Sequence, residues 1–501
     1  MKVVTVCAVA ALAALSALLL AIGLPSVLGA AGEPGLATPP TRPNVILVLT
    51  DDLDAASLEF APRIKALLTD RGTSFSSYFV NVSLCCPSRA TILRGQYAHN
   101  HRVVANEPPK GGFKAFHDLE HERSTVATWL QAAGYRTMLL GKYLNGYPEG
   151  ADAAHVPPGW DDWHSPVRGE WHSSGGGEPY SGFSYTLNVD GSLVKYGNQP
   201  QDYLTDVLAG KATDLIQQAA VDGRPFFLYL APYAPHWPAA PAPRHRDEFP
   251  DAIAPRVPSF DEADMRDKPV WMRARRPLSP AQIAQIDELY RRRLQSMLAV
   301  DELIETLVQT LEATGQLANT YIVFTSDNGV HQGQHRRPDG KAAPYEEDIR
   351  VPLIVRGPAV AAGRTVEHLA GNVDLAPTLA ELAGAAAPEL VDGRSLAPLL
   401  HGDAQLVDAW RDAFLLSYES PADQPPPSVL PTFQGLRTRD SLYVEYVTGE
   451  RELYDLRADP DELQNAYATA DPTLLARLSS QLAALRQCAG ASCRAADASA
   501  P

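Results

Sequence analysis

Positive charge is scarce in this sequence. The 501 residues include 43 lysines and arginines against 59 aspartates and glutamates, giving a formal net charge of -16 at pH 7. No segment is rich in lysine or arginine, so the charge pattern argues against a nucleic-acid partner. An anionic ligand would not be attracted by the overall field of such a protein. A binding site for an anion would therefore have to carry its own cations.

Long hydrophobic runs are equally rare, and only the N-terminus has one. Lys2 precedes an apolar stretch over residues 3–24, and Pro25 and small residues then lead to Ala30 and Ala31. This pattern predicts a cleaved signal peptide over residues 1–31, followed by a Pro/Gly-rich linker over 32–42. A retained membrane anchor is the alternative, because the run is nearly long enough to span a bilayer. We expect an exported protein, either secreted or located in the cell envelope.

Cysteine is also sparse, and its five positions are informative. Cys7 would leave with the signal peptide. Cys488 and Cys493 are close enough in sequence to form a small disulfide loop in an oxidising compartment. Cys85 and Cys86 are adjacent, which allows at best a strained disulfide, so this pair needs another explanation. No spacing of cysteine and histidine suggests a zinc site.

The rest of the chain alternates short apolar runs with helical segments. Strand-like runs occupy residues 44–50, 135–140, 226–230, 321–325 and 353–355, and helical patterns occupy residues 125–133 and 280–314. Such alternation predicts an α/β fold with a mainly parallel sheet covered by helices on both faces. Residues 150–200 are rich in Gly, Trp, His and Pro with little periodicity, and we expect long loops there.

The pattern changes from about residue 405. Residues 442–447 alternate like a half-exposed strand, and residues 472–487 have the spacing of an amphipathic helix. We therefore predict a main domain over residues 43–404, a small C-terminal α+β subdomain over 405–494 and a tail over 495–501.

Polar side chains follow three of the predicted strands. Asp51 and Asp52 follow the first, His236 follows another, and Asp327 and Asn328 follow a third. Ligand sites in such sheets lie beyond the carboxyl ends of the strands, so we expect these residues to converge. Three carboxylates and an amide are oxygen donors that suit a hard divalent cation such as calcium. Either pair alone is more typical of a helix cap or a solvated turn.

The segment Cys85-Cys86-Pro87-Ser88-Arg89 is the most specific feature. Pro87 is well placed to open a helix, and Arg89 would then lie in its first turn. The segment resembles the C-x-P-S-R signature of the sulfatase family, in which the first cysteine is oxidised to formylglycine. The spacing selects Cys85, and the resemblance implies a formylglycine-generating enzyme as a partner during maturation. Phosphonate monoester hydrolases of the same superfamily share this signature.

The resemblance extends from about residue 43 to residue 494. It is carried by the segments NVILVLTDD, CCPSRATILRGQYAHNH, GYRTMLLGKYLNGY, APHWP, TSDNGVHQGQ, VDLAPTLAELAG and ELYDLRADPDELQN. It implies an alkaline-phosphatase-like α/β fold, a sulfatase catalytic domain over 43–404 and a small C-terminal antiparallel sheet. GKYLNGY, HNH and PPGW are most similar to the N-acetylglucosamine-6-sulfatase and extracellular endosulfatase branch. Many sulfatases have a histidine where this chain has Leu144, so the replacement for that hydrogen bond is open.

The resemblance also implies roles for individual residues. A hydrated aldehyde at position 85 would attack sulfur, whereas the sulfated adduct of a cysteine thiolate has no easy route to break down. Calcium would be held by Asp51, Asp52, Asp327 and Asn328, with the converted Cys85 in contact with the same ion. Arg89, Lys142 and Lys341 would neutralise the sulfate oxygens. His236 would protonate the leaving alcohol. His331, His99 and His101 are weaker candidates for contact with substrate.

The substrate would be a sulfated small molecule or glycan. The resemblance favours the 6-sulfate of N-acetylglucosamine, and Trp160, Trp163 and Trp171 would offer faces for sugar rings. A phosphonate or phosphodiester hydrolase using the same formylglycine, or a non-catalytic secreted relative, are the alternatives. Asn81 heads a glycosylation sequon, but its closeness to Cys85 argues against use.

Overall fold

The computed structural model describes residues 42–167, 179–402, 410–421, 426 and 428–498. The predicted signal peptide and nearly all of the linker lie outside these ranges. The strands are β1 (Asn44–Thr50), β2 (Thr73–Phe75), β3 (Tyr78–Phe79), β4 (Arg136–Gly141), β5 (Asp162–Pro166), β6 (Thr186–Val189), β7 (Ser192–Lys195), β8 (Phe226–Ala231), β9 (Thr320–Ser326), β10 (Leu353–Arg356), β11 (Arg364–Val366), β12 (Ala370–Gly371), β13 (Ala413–Tyr418), β14 (Phe433–Thr438), β15 (Ser441–Tyr446) and β16 (Arg451–Asp455).

Helices connect and cover these strands. They are α1 (Pro62–Ile64), α2 (Cys85–Arg94), α3 (Ala98–His101), α4 (Gly112–Asp118), α5 (Val126–Ala132), α6 (Leu204–Asp222), α7 (Val270–Arg273), α8 (Pro280–Ala313), α9 (Glu346–Ile349), α10 (Leu375–Leu382), α11 (Ala397–His401), α12 (Pro472–Leu485) and α13 (Ala491–Ala496). None of the helices in the described ranges combines the length and apolar character needed to cross a membrane.

The main sheet follows the order β11-β2-β10-β9-β1-β8-β4-β5-β6-β7 within the described residues. The consecutive neighbours from β9 to β5 all pair in parallel. Antiparallel pairing begins where β10 joins β9 and where β6 joins β5. The predicted α/β fold with a mainly parallel sheet is confirmed.

Strand β1 shows why the centre of the sheet is apolar along its whole length. All seven residues of this strand are buried. Leu47 faces a cluster that includes side chains of α2, α5 and α10. Val48 faces the opposite cluster, which includes side chains of α6 and α8. Because helices cover both faces, an alternating polar residue would be buried without a partner, so the strand is apolar throughout.

A second sheet lies in the C-terminal part of the chain. Strands β13 to β16 form an antiparallel meander, and α12 packs on it through Leu478, Leu482 and Leu485. Cys488 and Cys493 form a disulfide directly after this helix. The predicted antiparallel sheet, amphipathic helix and disulfide are confirmed.

The region over residues 150–200 differs from the prediction of long loops. Its described part contains β5, β6 and β7, which extend the main sheet by antiparallel pairing. Every residue of β7 is exposed, so its sequence lacks the apolar pattern that marks a buried strand. Backbone pairing at the sheet edge, rather than apolar burial, stabilises this last strand.

Candidate active site

The site lies at the carboxyl ends of three neighbouring strands, β9, β1 and β8. Asp51 and Asp52 follow β1, and Asp327 and Asn328 follow β9. The Asp52 amide donates to Oδ1 of Asp327 at 3.1 Å, and Nδ2 of Asn328 donates to Oδ1 of Asp52 at 2.6 Å. His236, beyond β8, has Nε2 at 3.5 Å from Oδ2 of Asp52. The sequence-predicted convergence of these residues is present in the structure.

Helix α2 brings the Cys85 side chain to the same cluster. Cys85 is fully buried, with Sγ at 3.4 Å from Oδ1 of Asp51 and 2.8 Å from Nζ of Lys341. The helix begins at Cys85, two residues before Pro87, so Arg89 lies beyond the first turn and not within it as predicted. Leu84 precedes the helix in an extended conformation. The acidic cluster therefore meets the first residue of the helix, where the helix dipole favours negative charge.

Three cations pair with the carboxylates of this cluster. Nζ of Lys142 lies 2.6 Å from Oδ2 of Asp51, and Nε of Arg89 lies 2.8 Å from Oδ2 of Asp327. Lys341 pairs with Asp52 as well as with the Cys85 sulfur. Lys142 and Arg89 are essentially inaccessible to solvent. The acidic chain thus carries a local group of cations at this position, which an anionic ligand requires.

The pKa values of Asp51 and Asp327 are shifted in opposite directions by burial and by neighbouring charges. Burial opposes ionisation of Asp51, but the charges of Lys142, His236 and Arg89 together hold its pKa below the usual value. At Asp327, burial and the neighbouring charge of Asp51 outweigh Arg89 and raise the pKa to about 6. The charge of Asp327 therefore lacks full compensation from the protein's own cations.

The donor set fits a calcium ion. Oδ1 of Asn328 is buried and accepts no hydrogen bond from any described residue, which leaves a carbonyl oxygen facing inward without a partner. One ligand atom from each of Asp51, Asp52, Cys85 and His236 lies within 4.8 Å of the others. Carboxylate and amide oxygens are the ligands that calcium prefers. A cation here would also relieve the repulsion between Asp51 and Asp327.

His236 is fixed by its neighbours. Its Nδ1 lies 2.6 Å from the Trp237 carbonyl oxygen, which can only accept, so Nδ1 carries the proton. Nε2 is left facing Asp52. Burial lowers the pKa of His236, and the carboxylates of Asp52 and Asp51 partly oppose that effect. One-fifth of the side chain is exposed, so it lies where the cluster opens to solvent.

Two residues of the site were missed from the sequence. The Tyr180 ring lies 4.5 Å from the His236 ring between centroids, and 5.1 Å from Nζ of Lys142. Arg293 from α8 donates to the carbonyl oxygens of Pro235 and Asp52, which joins the His236 segment to the acidic turn. An arginine on an otherwise apolar helix face was the available signal for Arg293. No sequence pattern indicates Tyr180.

The weaker histidine candidates have structural partners. His101 is fully buried, and its ring nitrogens bond to Oγ1 of Thr91 and the amide of Val103, so we assign it a structural role. His99 bonds through Nε2 to the Cys488 carbonyl oxygen at 2.9 Å. His331, which lies in the loop that also carries Lys341, pairs through Nδ1 with Asp348 of α9 at 2.8 Å.

The prediction that Trp160 and Trp163 stack on sugar rings is wrong. Trp163 is fully buried and Trp160 is 8% exposed, and both rings pack in the core beneath the sheet edge. Nε1 of Trp163 donates to the Tyr147 hydroxyl at 2.9 Å. Trp171 lies outside the described residues. Burial of apolar ring area in the core outweighs any advantage of displaying these side chains.

The Asn81 sequon is also buried. Nδ2 of Asn81 donates to the Leu415 carbonyl oxygen at 2.8 Å, and the side chain is 1% exposed. A glycan has no room at this atom in the folded chain.

Comparisons with known proteins agree with this geometry. The family model described as Sulfatase matches residues 43–385, and the one described as N-sulphoglucosamine sulphohydrolase, C-terminal, matches residues 333–488. The chain is 37% identical over 500 aligned residues to the human N-acetylglucosamine-6-sulfatase, covering 93% of this chain and 88% of that protein.

Two solved structures share the fold at appreciable sequence identity. One is a protein in complex with its substrate D-glucosamine-2-N,6-O-disulfate, with a TM-score of 0.73 at 26% identity over 88% of this chain and 97% of the other. The second is a phosphonate monoester hydrolase from Silicibacter pomeroyi, with a TM-score of 0.69 at 27% identity over 87% of this chain and 93% of the other.

Proposed function

Because the chain belongs to the sulfatase family and is a sulfuric ester hydrolase, we propose that it removes the 6-sulfate of N-acetylglucosamine, or of a glycan ending in it. The proposal includes a formylglycine made from Cys85 and a bound calcium ion. The observation that carries it is the buried cluster that surrounds Cys85 with Asp51, Asp52 and Lys341.

The environment of Cys85 favours a modified residue over a thiol nucleophile. Burial raises the pKa of the thiol well above its ordinary range, although Lys142 and Lys341 oppose that effect. A protonated thiol is a poor nucleophile. A hydrated aldehyde at this position supplies one hydroxyl to attack sulfur and a second to expel sulfate as the aldehyde re-forms. Because Cys85 is fully buried, the converting enzyme would have to act before the chain has folded.

The cations around Cys85 would receive the sulfate group. Lys341 is in contact with the Cys85 sulfur. Lys142 donates to one oxygen of Asp51, and the other oxygen of that carboxylate lies near the sulfur. Together with Arg89 they would compensate the charge that moves onto the sulfate oxygens. Calcium, held by the oxygens of Asp51, Asp52, Asp327 and Asn328 and by the converted residue 85, would add positive charge at the same oxygens.

His236 would protonate the sugar oxygen as it departs. Nδ1 keeps its proton on the Trp237 carbonyl oxygen, so only Nε2 is directed at a reacting group. The residue would therefore act as an acid in its doubly protonated form, and Nε2 would pass a proton taken up from solvent to the sugar oxygen. We expect His236→Asn to lower turnover of a sugar 6-sulfate by on the order of 10²- to 10⁴-fold, the usual contribution of a general acid. Turnover of p-nitrophenyl sulfate should fall far less, because p-nitrophenolate leaves without a proton. Steady-state kinetics on both substrates check this, and equal losses would mean that His236 only positions the site.

The sugar specificity is supported by the relatives. The human relative carries N-acetylglucosamine-6-sulfatase as its name, and a structural neighbour is in complex with its substrate D-glucosamine-2-N,6-O-disulfate. The test compares kcat/KM for 6-sulfated N-acetylglucosamine, choline sulfate and a phosphonate monoester on one enzyme preparation. We expect the sugar sulfate to be hydrolysed most efficiently. A larger value for choline sulfate would overturn the sugar assignment, and a larger value for the phosphonate would favour the phosphonate hydrolase relative.

A further inference from the structure

A second group of metal-ligating side chains lies outside the active-site cluster. His335 belongs to the loop after β9, Glu347 belongs to α9, and Glu462 follows β16 in the C-terminal part of the chain. Each contributes one ligand atom, and these atoms all lie within 4.8 Å of one another. His335 and Glu462 are each 1% exposed. Three chain segments that are distant in sequence therefore direct two carboxylates and an imidazole at one buried point.

All three side chains have an unpartnered atom in this cluster. Nε2 of His335, Oε2 of Glu347 and Oε1 of Glu462 are buried and make no hydrogen bond to any residue in the described ranges. A buried polar atom without a partner destabilises the folded state. Three such atoms facing one another are what a bound cation would satisfy together.

The His335 ring is oriented as a metal ligand would be. Its Nδ1 donates to Oε2 of Glu262 at 2.6 Å, which leaves the lone pair of Nε2 directed at the cluster. The Tyr345 ring packs against the imidazole at 4.3 Å between centroids. A histidine that binds a metal commonly donates its other ring nitrogen to a carboxylate in this way.

The remaining oxygens of the two carboxylates are anchored. Oε2 of Glu462 accepts from the Glu346 amide at 3.1 Å, and Oε1 of Glu347 lies 3.4 Å from Oγ of Ser259. The nearby cation Lys268 donates to the Tyr454 hydroxyl and the Glu462 carbonyl oxygen, and lies 3.6 Å from Glu262. Its charge is thus committed to other acceptors. The free oxygens of Glu347 and Glu462 are therefore not paired with this cation.

A comparison within the chain shows that such clusters need not require an ion. His117, Glu122 and His155 also bring three ligand atoms together. There, however, each carboxylate oxygen of Glu122 bonds to one histidine nitrogen, at 2.5 Å and 3.0 Å. The hydrogen bonds of that group are satisfied without a metal. The facing atoms of His335, Glu347 and Glu462 have no hydrogen-bond partner in the described residues.

We propose that His335, Glu347 and Glu462 bind a divalent transition-metal ion, with Zn²⁺ as the representative, at a site separate from the calcium site. The mixed set of one imidazole and two carboxylates suits zinc and its neighbours better than calcium or magnesium, which take oxygen ligands. Such an ion would fasten the loop that contains both His331 and Lys341 to the C-terminal part of the chain. The site would therefore hold the position of Lys341 without touching substrate.

The experiment is a metal count on the full-length purified protein. After equilibration with Zn²⁺ and removal of loosely bound ions, elemental analysis should find about one tightly bound zinc per chain in the wild type. His335→Gln and Glu462→Gln should lose that zinc. Glu452→Gln is the matched control, because Glu452 is equally buried but accepts from the hydroxyls of three tyrosines, and it should keep the zinc.

Two further arms keep the result independent of folding and of the active site. Asp327→Asn should retain the zinc, because it alters only the calcium site. If the cluster variants fail to fold, Co²⁺ added to the wild type should give the visible absorption of a low-symmetry site and compete with Zn²⁺. A wild-type protein that binds neither Zn²⁺ nor Co²⁺ tightly would overturn the proposal, as would Glu462→Gln with its zinc intact.

Discussion

Cys85→Ala should lower kcat by on the order of 10⁴-fold or more while the protein still folds, because it removes the nucleophile and little else. The Cys85 side chain lies at the first position of α2, where alanine is well tolerated in a helix. The removed sulfur contacts charged groups of the site, not the apolar core. Activity on a sulfate ester and a thermal melt, measured on the same preparation, check both halves of this expectation.

Cys86→Ala is the matched control, since it makes the same cysteine-to-alanine change one position further along the helix. Cys86 is fully buried, but it belongs to the apolar cluster beneath the sheet and not to the acidic site. We expect a loss of stability on the order of 1 kcal/mol from the small cavity, and a much smaller loss of activity. An inactive Cys86→Ala beside an active Cys85→Ala would show that the wrong cysteine was assigned.

Mass spectrometry of the peptide that contains Cys85 tests the chemistry itself. Conversion of the cysteine to formylglycine lowers the mass by about 18 Da. An active protein whose Cys85 peptide has the unmodified mass throughout would contradict the formylglycine mechanism.

The centre of the fold was predictable because its physical signal is local. β1 and β9 are buried on both faces, so their sequences are continuous apolar runs that end in acidic turns. Parallel pairing then brings those turns to one edge of the sheet, and Asp51, Asp52, Asp327 and Asn328 meet as the strand order requires. The assignment of Cys85 came from a motif and not from periodicity.

The errors arose where tertiary context decides the outcome. Trp160 and Trp163 stand in a glycine-rich segment that looks like a surface loop, yet a neighbouring strand and tyrosines cover them. The sequence predicts that Pro87 opens α2, whereas the helix begins at Cys85 and the proline occupies its third position. Tyr180 reaches the site by chain folding alone. No local pattern in the sequence contains that information.

Removal of calcium should abolish activity and lower the melting temperature. Asp51, Asp52 and Asp327 are buried, Asp51 and Asp52 have ligand atoms within 4.8 Å of each other, and burial together with Asp51 raises the pKa of Asp327 to about 6. A divalent cation would offset the repulsion between Asp327 and Asp51 that this pKa reflects. An ion present at about 1,000 times its Kd would stabilise the folded state by about 4 kcal/mol through linkage.

Restoration separates this site from the proposed zinc site, since a strong chelator removes both ions. After exhaustive chelation, Ca²⁺ alone should restore turnover in part, because the loop of Lys341 would still lack its zinc. Zn²⁺ alone should raise the melting temperature without restoring turnover. Asn328→Ala, which deletes the unpartnered carbonyl oxygen, should raise the Ca²⁺ concentration needed for half-maximal recovery. A chelated protein that contains no metal by elemental analysis, and that keeps its activity and melting temperature, would remove calcium from the mechanism. The position of Asn328 would then need a different explanation, because nothing else in the described chain satisfies that buried oxygen.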